Sequence, residues 1–285
     1  MTSNISQVFL FSFFWLVVWI PCGVLLALIL KWKPFQPLSP LQKLPFVLSL
    51  YAIAPFVLAE ILSLFDTSWV AIGFSVENIL SGSFFLGLII SILSIAGLFG
   101  LFFGMGWVTA PSTIDSPIGK TDDSEDVSLP ANSVPETPHP GLLVPALFGL
   151  GLIIGGVEEL IFRGFLTGRL CESFSVWWAG AIASLIFALL HLVWEGKDNS
   201  PQLPGLWVMG MVLTLAWWVD HQGIALAWGL HTGWVWSVAT VDSLALIQYS
   251  NTVPAWVTGI DDKPLAGVMG VGALVLTGLG IAILL

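Results

Sequence analysis

The chain has 285 residues, of which 56% are hydrophobic and 9% charged, with a mean hydropathy of +0.94. Soluble domains carry about 25% charge, so a polar-coated soluble fold, a disordered chain and a disulfide scaffold are all excluded. Eight Lys+Arg against eighteen Asp+Glu give a net charge of −10, which excludes a nucleic-acid partner, since no basic stripe is present to neutralise phosphate. The solvent that suits this composition is a lipid bilayer.

A spanning helix needs about 20 mostly apolar residues. The first such run, Val8 to Leu30, holds no charge and is followed by Lys31 and Lys33. It is longer than a signal-peptide core of roughly 7–15 residues, so it reads as a retained transmembrane helix. Further apolar segments follow at 44–65, 79–108, 142–160, 176–194, 204–219, 223–247 and 265–285. The ~10-residue alternation of a membrane β-barrel is absent. The expected fold is therefore all-α, a polytopic integral membrane bundle of about eight transmembrane helices. Lys31, Lys33 and Lys43 lie between the first two segments, which predicts a cytoplasmic loop there. A multi-pass position in a plasma or inner membrane is expected.

Residues 109–140 interrupt this pattern. They hold six prolines, six acidic residues and a single lysine, Lys120. Such a segment buries too little apolar surface to offset its ordering entropy, and reads as a disordered acidic linker. It divides the chain into an N-terminal three-helix region (1–108) and a C-terminal five-helix domain (141–285). Two GxxxG pairs, Gly100/Gly104 and Gly151/Gly155, mark places where helix backbones can approach in lipid. Fifteen tryptophans against two tyrosines suggest interfacial belts, with Trp234 or Trp236 expected to reach a cavity.

Charge inside apolar runs is costly and usually faces a partner or a watery space. Those positions are Glu60, Glu158, Glu159, Arg163, His191 and His231. Glu60 stands alone and reads as a neutral or snorkelling carboxyl. Glu159 and Arg163 are four apart, so they share a helix face and can pair. Glu158 is rotated by about 100° from Glu159 and is free for another task. His191 follows Phe187 by one helical turn, and His231 lies on a third span. One carboxylate and two imidazoles on separate spans offer a general base, a group to orient water and a donor for an oxyanion.

These residues resemble the three ordered motifs of the CPBP intramembrane proteases, the family that includes the CAAX-processing type II prenyl endopeptidases and bacteriocin-immunity-like membrane proteins. The motifs are Glu158-Glu159-x-x-x-Arg163, Phe187-x-x-x-His191 and His231, within roughly 142–250. The resemblance implies that Glu158 activates a water with His191 as its partner. It implies that Glu159 and Arg163 form a supporting ion pair, that His231 stabilises the oxyanion, and that Phe187 and Trp234 line or adjoin the substrate cavity. The implied substrate is a membrane-embedded or lipid-linked peptide, with no cofactor. Zinc held by Glu158, His191 and His231 is the lesser alternative, since no HExxH occurs. One departure stands out. The third motif usually continues His-x-x-x-Asn, and here it reads His231-Thr-Gly-Trp-Val235. Thr232, the indole of Trp234 or Trp236, or a backbone N–H would have to replace the missing donor. A catalytically impaired scaffold or immunity protein of the same fold is the alternative function.

Overall fold

The computed structural model describes residues 4–33, 38–80, 82–111 and 139–285. Of the acidic, proline-rich segment 109–140, residues 112–138 lie outside the described residues. All eight apolar segments contain a helix. They are α1 (Asn4–Ile29), α2 (Pro40–Leu64), α3 (Ser83–Gly104), α4 (Pro140–Glu159), α5 (Val176–Glu195), α6 (Leu203–Val219), α7 (Ala225–Ser243) and α8 (Val268–Leu284). Among the described residues, six helices are long and apolar enough to cross a membrane. α8 is a shorter apolar helix, and α7 is not among the six. The protein is thus an all-α, multi-pass integral membrane bundle. The strands are a single two-residue pair, in which β1 (Val108–Thr109) runs antiparallel to β2 (Gln248–Tyr249). This pair ties the end of α3 to the segment after α7.

Helices are the natural outcome here, because in lipid every backbone N–H and C=O must find its partner within the segment. α2 shows the local signals most fully. Ser39 and Gln42 form a reciprocal capping box, and Pro40 occupies the first turn, where its missing N–H costs nothing. Large apolar side chains are exposed along the spanning helices. Phe9, Leu28, Phe56, Leu276 and Ile283 are all exposed, an arrangement stable only against acyl chains.

α7 is the axis of the bundle, and it packs against α3, α4 and α6. Small residues decide how close those contacts are. A Cβ at Gly229 would overlap the carbonyl oxygen of Phe84, one at Gly233 would overlap the Ser91 hydroxyl, and one at Gly87 would overlap the Leu226 carbonyl. Gly229-x-x-x-Gly233 is therefore the working small-residue pair between α3 and α7. Gly151 and Gly155 also meet α7, against Thr232 and His231. Gly100 and Gly104 meet nothing. That expected contact is not made, because this stretch of α3 turns its glycines away from every neighbour.

Several indoles are spent between helices rather than at interfaces. Trp15 donates to Leu50 O at 2.9 Å and Trp19 to Ser49 Oγ at 3.0 Å, joining α1 to α2. Trp228 donates to Leu152 O at 2.9 Å and Trp236 to Val144 O at 3.0 Å, joining α7 to α4. Trp177, Trp178 and Trp218 are exposed near helix ends, as a belt requires.

Gly229→Ala forces α3 and α7 apart and is expected to cost about 1–3 kcal/mol, the usual penalty of overpacking. Gly104→Ala, in open space, is expected to be neutral. Thermal unfolding of the two variants in the same detergent checks the contrast.

Candidate active site

The site begins where α4 changes its winding. Beyond Glu159 the helix continues without a break as a π-helix over Leu160–Thr167, then closes with one more turn at Gly168–Cys171. The Thr167 hydroxyl donates to Phe162 O, five residues back, at 2.7 Å. Single π-turns inside α-helices are uncommon and are frequent at functional sites. All eight residues of the π-segment are buried, so this stretch has no lipid-facing side. Phe165 meets Phe11 of α1, and Gly164 sits against the Ile72 carbonyl.

Within that stretch Arg163 is almost wholly buried and has three partners. Its Nη1 donates to Glu159 Oε1 at 2.9 Å and its Nη2 to Gly210 O of α6 at 3.1 Å. Its guanidinium carbon lies 5.0 Å from the centre of the Phe187 ring. The same Glu159 oxygen receives His231 Nδ1 at 2.7 Å. One buried carboxylate thus holds a guanidinium on its own helix and an imidazole on α7. A carboxylate accepts only, so Nδ1 of His231 carries the proton and its Nε2 points the other way. There it faces Glu158 Oε2 at 3.4 Å. Glu159 thus meets Arg163 and His231 Nδ1 while Glu158 meets His231 Nε2, so His231 lies between the two glutamates.

Glu158 has a further partner that sequence reasoning missed. The phenol of Tyr51, on α2, donates to Glu158 Oε1. The available signal was slight: Tyr51 is one of only two tyrosines in the chain, a hydroxyl in an otherwise apolar run. Glu60, the acidic residue of the same helix, is exposed.

His191 does not pair with Glu158. Among the described residues no hydrogen bond joins them. His191 Nδ1 lies 2.9 Å from the carbonyl oxygen of Phe187, one turn earlier on α5. A carbonyl can only accept, so Nδ1 carries the proton and Nε2 keeps its lone pair. Phe187 is the spacer of the group. Its ring centre stands 4.7 Å from His191 and 5.9 Å from His231, with Phe162 edge-on at 5.3 Å. It packs against both imidazoles and is not among the residues that line the cavity.

A cavity of about 350 Å³ opens beside the two histidines. His191 and Glu195 of α5, Leu206 and Met209 of α6, and His231, Trp234 and Val235 of α7 line it, with Ser94 and Leu98 of α3 opposite. Trp234 therefore reaches the cavity, and Trp236 does not. The glutamates stand behind His231, outside the lining. Asn199, Gln202, Asp242 and Lys263 contribute polar wall. Lys43 reaches Glu195 at 3.5 Å, fastening the start of α2 to the end of α5. As for zinc, among the described residues no group of three or more His, Cys, Asp or Glu side chains is arranged to hold a metal ion.

The Glu159–Arg163 pair is costly to break from one side, because the survivor is a buried, uncompensated charge. Arg163→Met is expected to destabilise the protein by about 3–5 kcal/mol, and Arg163→Lys by less, since lysine keeps the charge but not the second bond to Gly210. Unfolding midpoints in detergent check the order.

Residues 140–237 match the family model described as Rce1-like, type II CAAX prenyl endopeptidase Rce1-like. The matched stretch runs from the start of α4 through most of α7 and contains all three motifs. It is the family that those motifs resemble. The match supports a CAAX-type intramembrane peptidase kind of function and a membrane-associated peptide as substrate. Neither a curated protein nor a solved structure matches the chain.

Proposed function

We propose that this protein, Rce1-like over residues 140–237, is an intramembrane endopeptidase that hydrolyses a membrane-embedded or lipid-linked peptide with an activated water. The observation that carries the reading is convergence. An imidazole from α5 and an imidazole from α7 line one cavity, and two carboxylates from α4 and a phenol from α2 stand in a contact chain behind the α7 imidazole.

In this mechanism Glu158 is the general base and removes a proton from water. His191 Nε2, left free by the bond from Nδ1 to Phe187, accepts the other water hydrogen and orients the nucleophile. The water oxygen attacks the scissile carbonyl carbon, and the carbonyl π pair moves to its oxygen. His231, when it carries a second proton, donates from Nε2 to that oxyanion, while Glu159 holds its Nδ1–H. Collapse of the tetrahedral intermediate breaks the C–N bond, and Glu158 returns its proton to the leaving nitrogen. Arg163 holds Glu159 in place. No serine, cysteine or cofactor enters the scheme.

A second reading is favoured by one residue. Val235 lines the cavity where the resembled motif carries an asparagine, so a site that has lost its activity and serves as a scaffold or immunity protein is the competitor.

Cleavage of a membrane-anchored peptide panel, including a prenylated CAAX peptide, by the full chain in proteoliposomes tests the two readings. Glu158→Gln and His191→Ala are each expected to lose about 10²-fold or more in kcat, the usual scale of general acid–base catalysis. Tyr51→Phe removes one hydrogen bond to a carboxylate, worth about 1.5–3 kcal/mol, and is expected to lose roughly ten-fold or more. Equal cleavage by wild type and all three variants would overturn the assignment. A well-folded wild type that cleaves nothing supports the scaffold.

A further inference from the structure

The resemblance to the protease motifs leaves one chemical gap. Val235 cannot donate a hydrogen bond, and an oxyanion formed in an apolar cavity needs donors fixed in advance. The side-chain substitutes that the sequence offers near Val235 are committed elsewhere or lie off the cavity wall. An indole has a single N–H. That of Trp234 goes to Ser94 Oγ at 2.9 Å, and that of Trp236 goes to Val144 O at 3.0 Å. The Thr232 hydroxyl is buried against Gly155 and is not part of the cavity wall.

A different asparagine lines the same cavity. α5 ends at Glu195, and Gly196, with φ of 73°, turns the chain into a short 3-10 helix over Lys197–Gln202. That turn brings Asn199 to the wall of the cavity that His191, His231 and Val235 also line. Asn199 is 0% exposed, although it lies in a polar connection between two helices. Its amide is oriented. Gln202 Nε2 donates to Asn199 Oδ1, and the Asn199 backbone N–H is held by Gly196 O at 3.2 Å. With Oδ1 occupied, Nδ2 carries both N–H groups, and Nδ2 is buried without a hydrogen-bond partner. A buried amide donor left unmatched is costly, and an acceptor that arrives with the substrate would satisfy it.

We infer that Asn199 is a catalytic residue, whose Nδ2 N–H donates to the oxyanion of the tetrahedral intermediate in place of the side chain that Val235 lacks. The inference rests on the peptidase reading given above. It makes the connection after α5 part of the reaction centre, with Gln202 as the residue that fixes the amide's direction. The donor is pre-oriented, so it adds to transition-state binding more than to substrate binding.

The test uses the full chain in proteoliposomes and the peptide substrate cleaved by wild type. Asn199→Asp is the decisive variant, because a carboxylate keeps the acceptor for Gln202 and loses the donor. Asn199→Ala is its companion. Both are expected to lower kcat by about 10²-fold or more, the scale set by removal of one oxyanion donor, with KM within about three-fold of wild type. Adding Val235→Asn to Asn199→Ala is expected to recover at least about ten-fold of the loss, by restoring a donor on α7. Asn199→Asp that turns over like wild type, while Glu158→Gln is inactive, overturns the role of Asn199 and leaves the peptidase reading standing. Wild type and Glu158→Gln that cleave equally overturn the peptidase reading itself, and this inference with it.

Discussion

A single buried oxygen, Glu159 Oε1, ties the centre of the molecule together. It accepts Arg163 at 2.9 Å from its own helix and His231 at 2.7 Å from α7. Through Arg163 the same node reaches the Gly210 carbonyl of α6. Three spans are thereby fixed by one carboxylate in a medium that offers no competing water. Separating two charges in a low-dielectric interior is expensive from either side, so the node sets the rotation of His231 and the depth of α4 together. The π-helix serves the same end. It lets a fully buried stretch carry an arginine whose two nitrogens address two different helices.

The candidate site is wider than the stretch that carries the motifs. Tyr51 comes from α2 and Ser94 from α3, both before the acidic segment. One donates to Glu158, and the other receives the Trp234 indole on the cavity wall. The glycine-mediated approach of α3 to α7, at Gly87, Gly229 and Gly233, holds Ser94 in range. The N-terminal helices thus supply side chains to the site as well as surface to the bilayer.

The cavity combines an apolar body with a polar wall. Leu98, Leu206, Met209 and Leu274 suit an apolar peptide side chain, while Glu195, Asn199, Asp242 and Lys263 offer charge and hydrogen bonds. A peptide bond drawn into such a space leaves bulk solvent, and each oriented donor gains strength there. The two imidazoles present at that wall are held differently, because each Nδ1 meets a different acceptor, the Phe187 carbonyl for His191 and the Glu159 carboxylate for His231.

The amino-acid sequence by itself determined the all-α membrane architecture, because apolar runs of about twenty residues have only one stable backbone form in lipid. It also determined the Glu159–Arg163 pair, because a separation of four residues places both on one face of a helix. It brought forward Glu158, His191 and His231, because ionisable groups are rare inside apolar runs and their order matched known motifs. Only the tertiary structure decided which of these groups meet. His231, rather than His191, stands beside Glu158, Phe187 lies under the imidazoles instead of on the cavity wall, and Gly229 and Gly233 do the close packing left undone by Gly100 and Gly104. Tyr51 and Asn199 were illegible for the same reason. Each is an ordinary residue in its own neighbourhood; the partner of Tyr51 lies 107 residues away, and Asn199 shares a cavity wall with histidines from two other parts of the chain. Helical periodicity records what lies one or two turns away along a chain. The rotation and depth of one span against another depend on side-chain volumes and charges summed over several helices, which no local pattern holds.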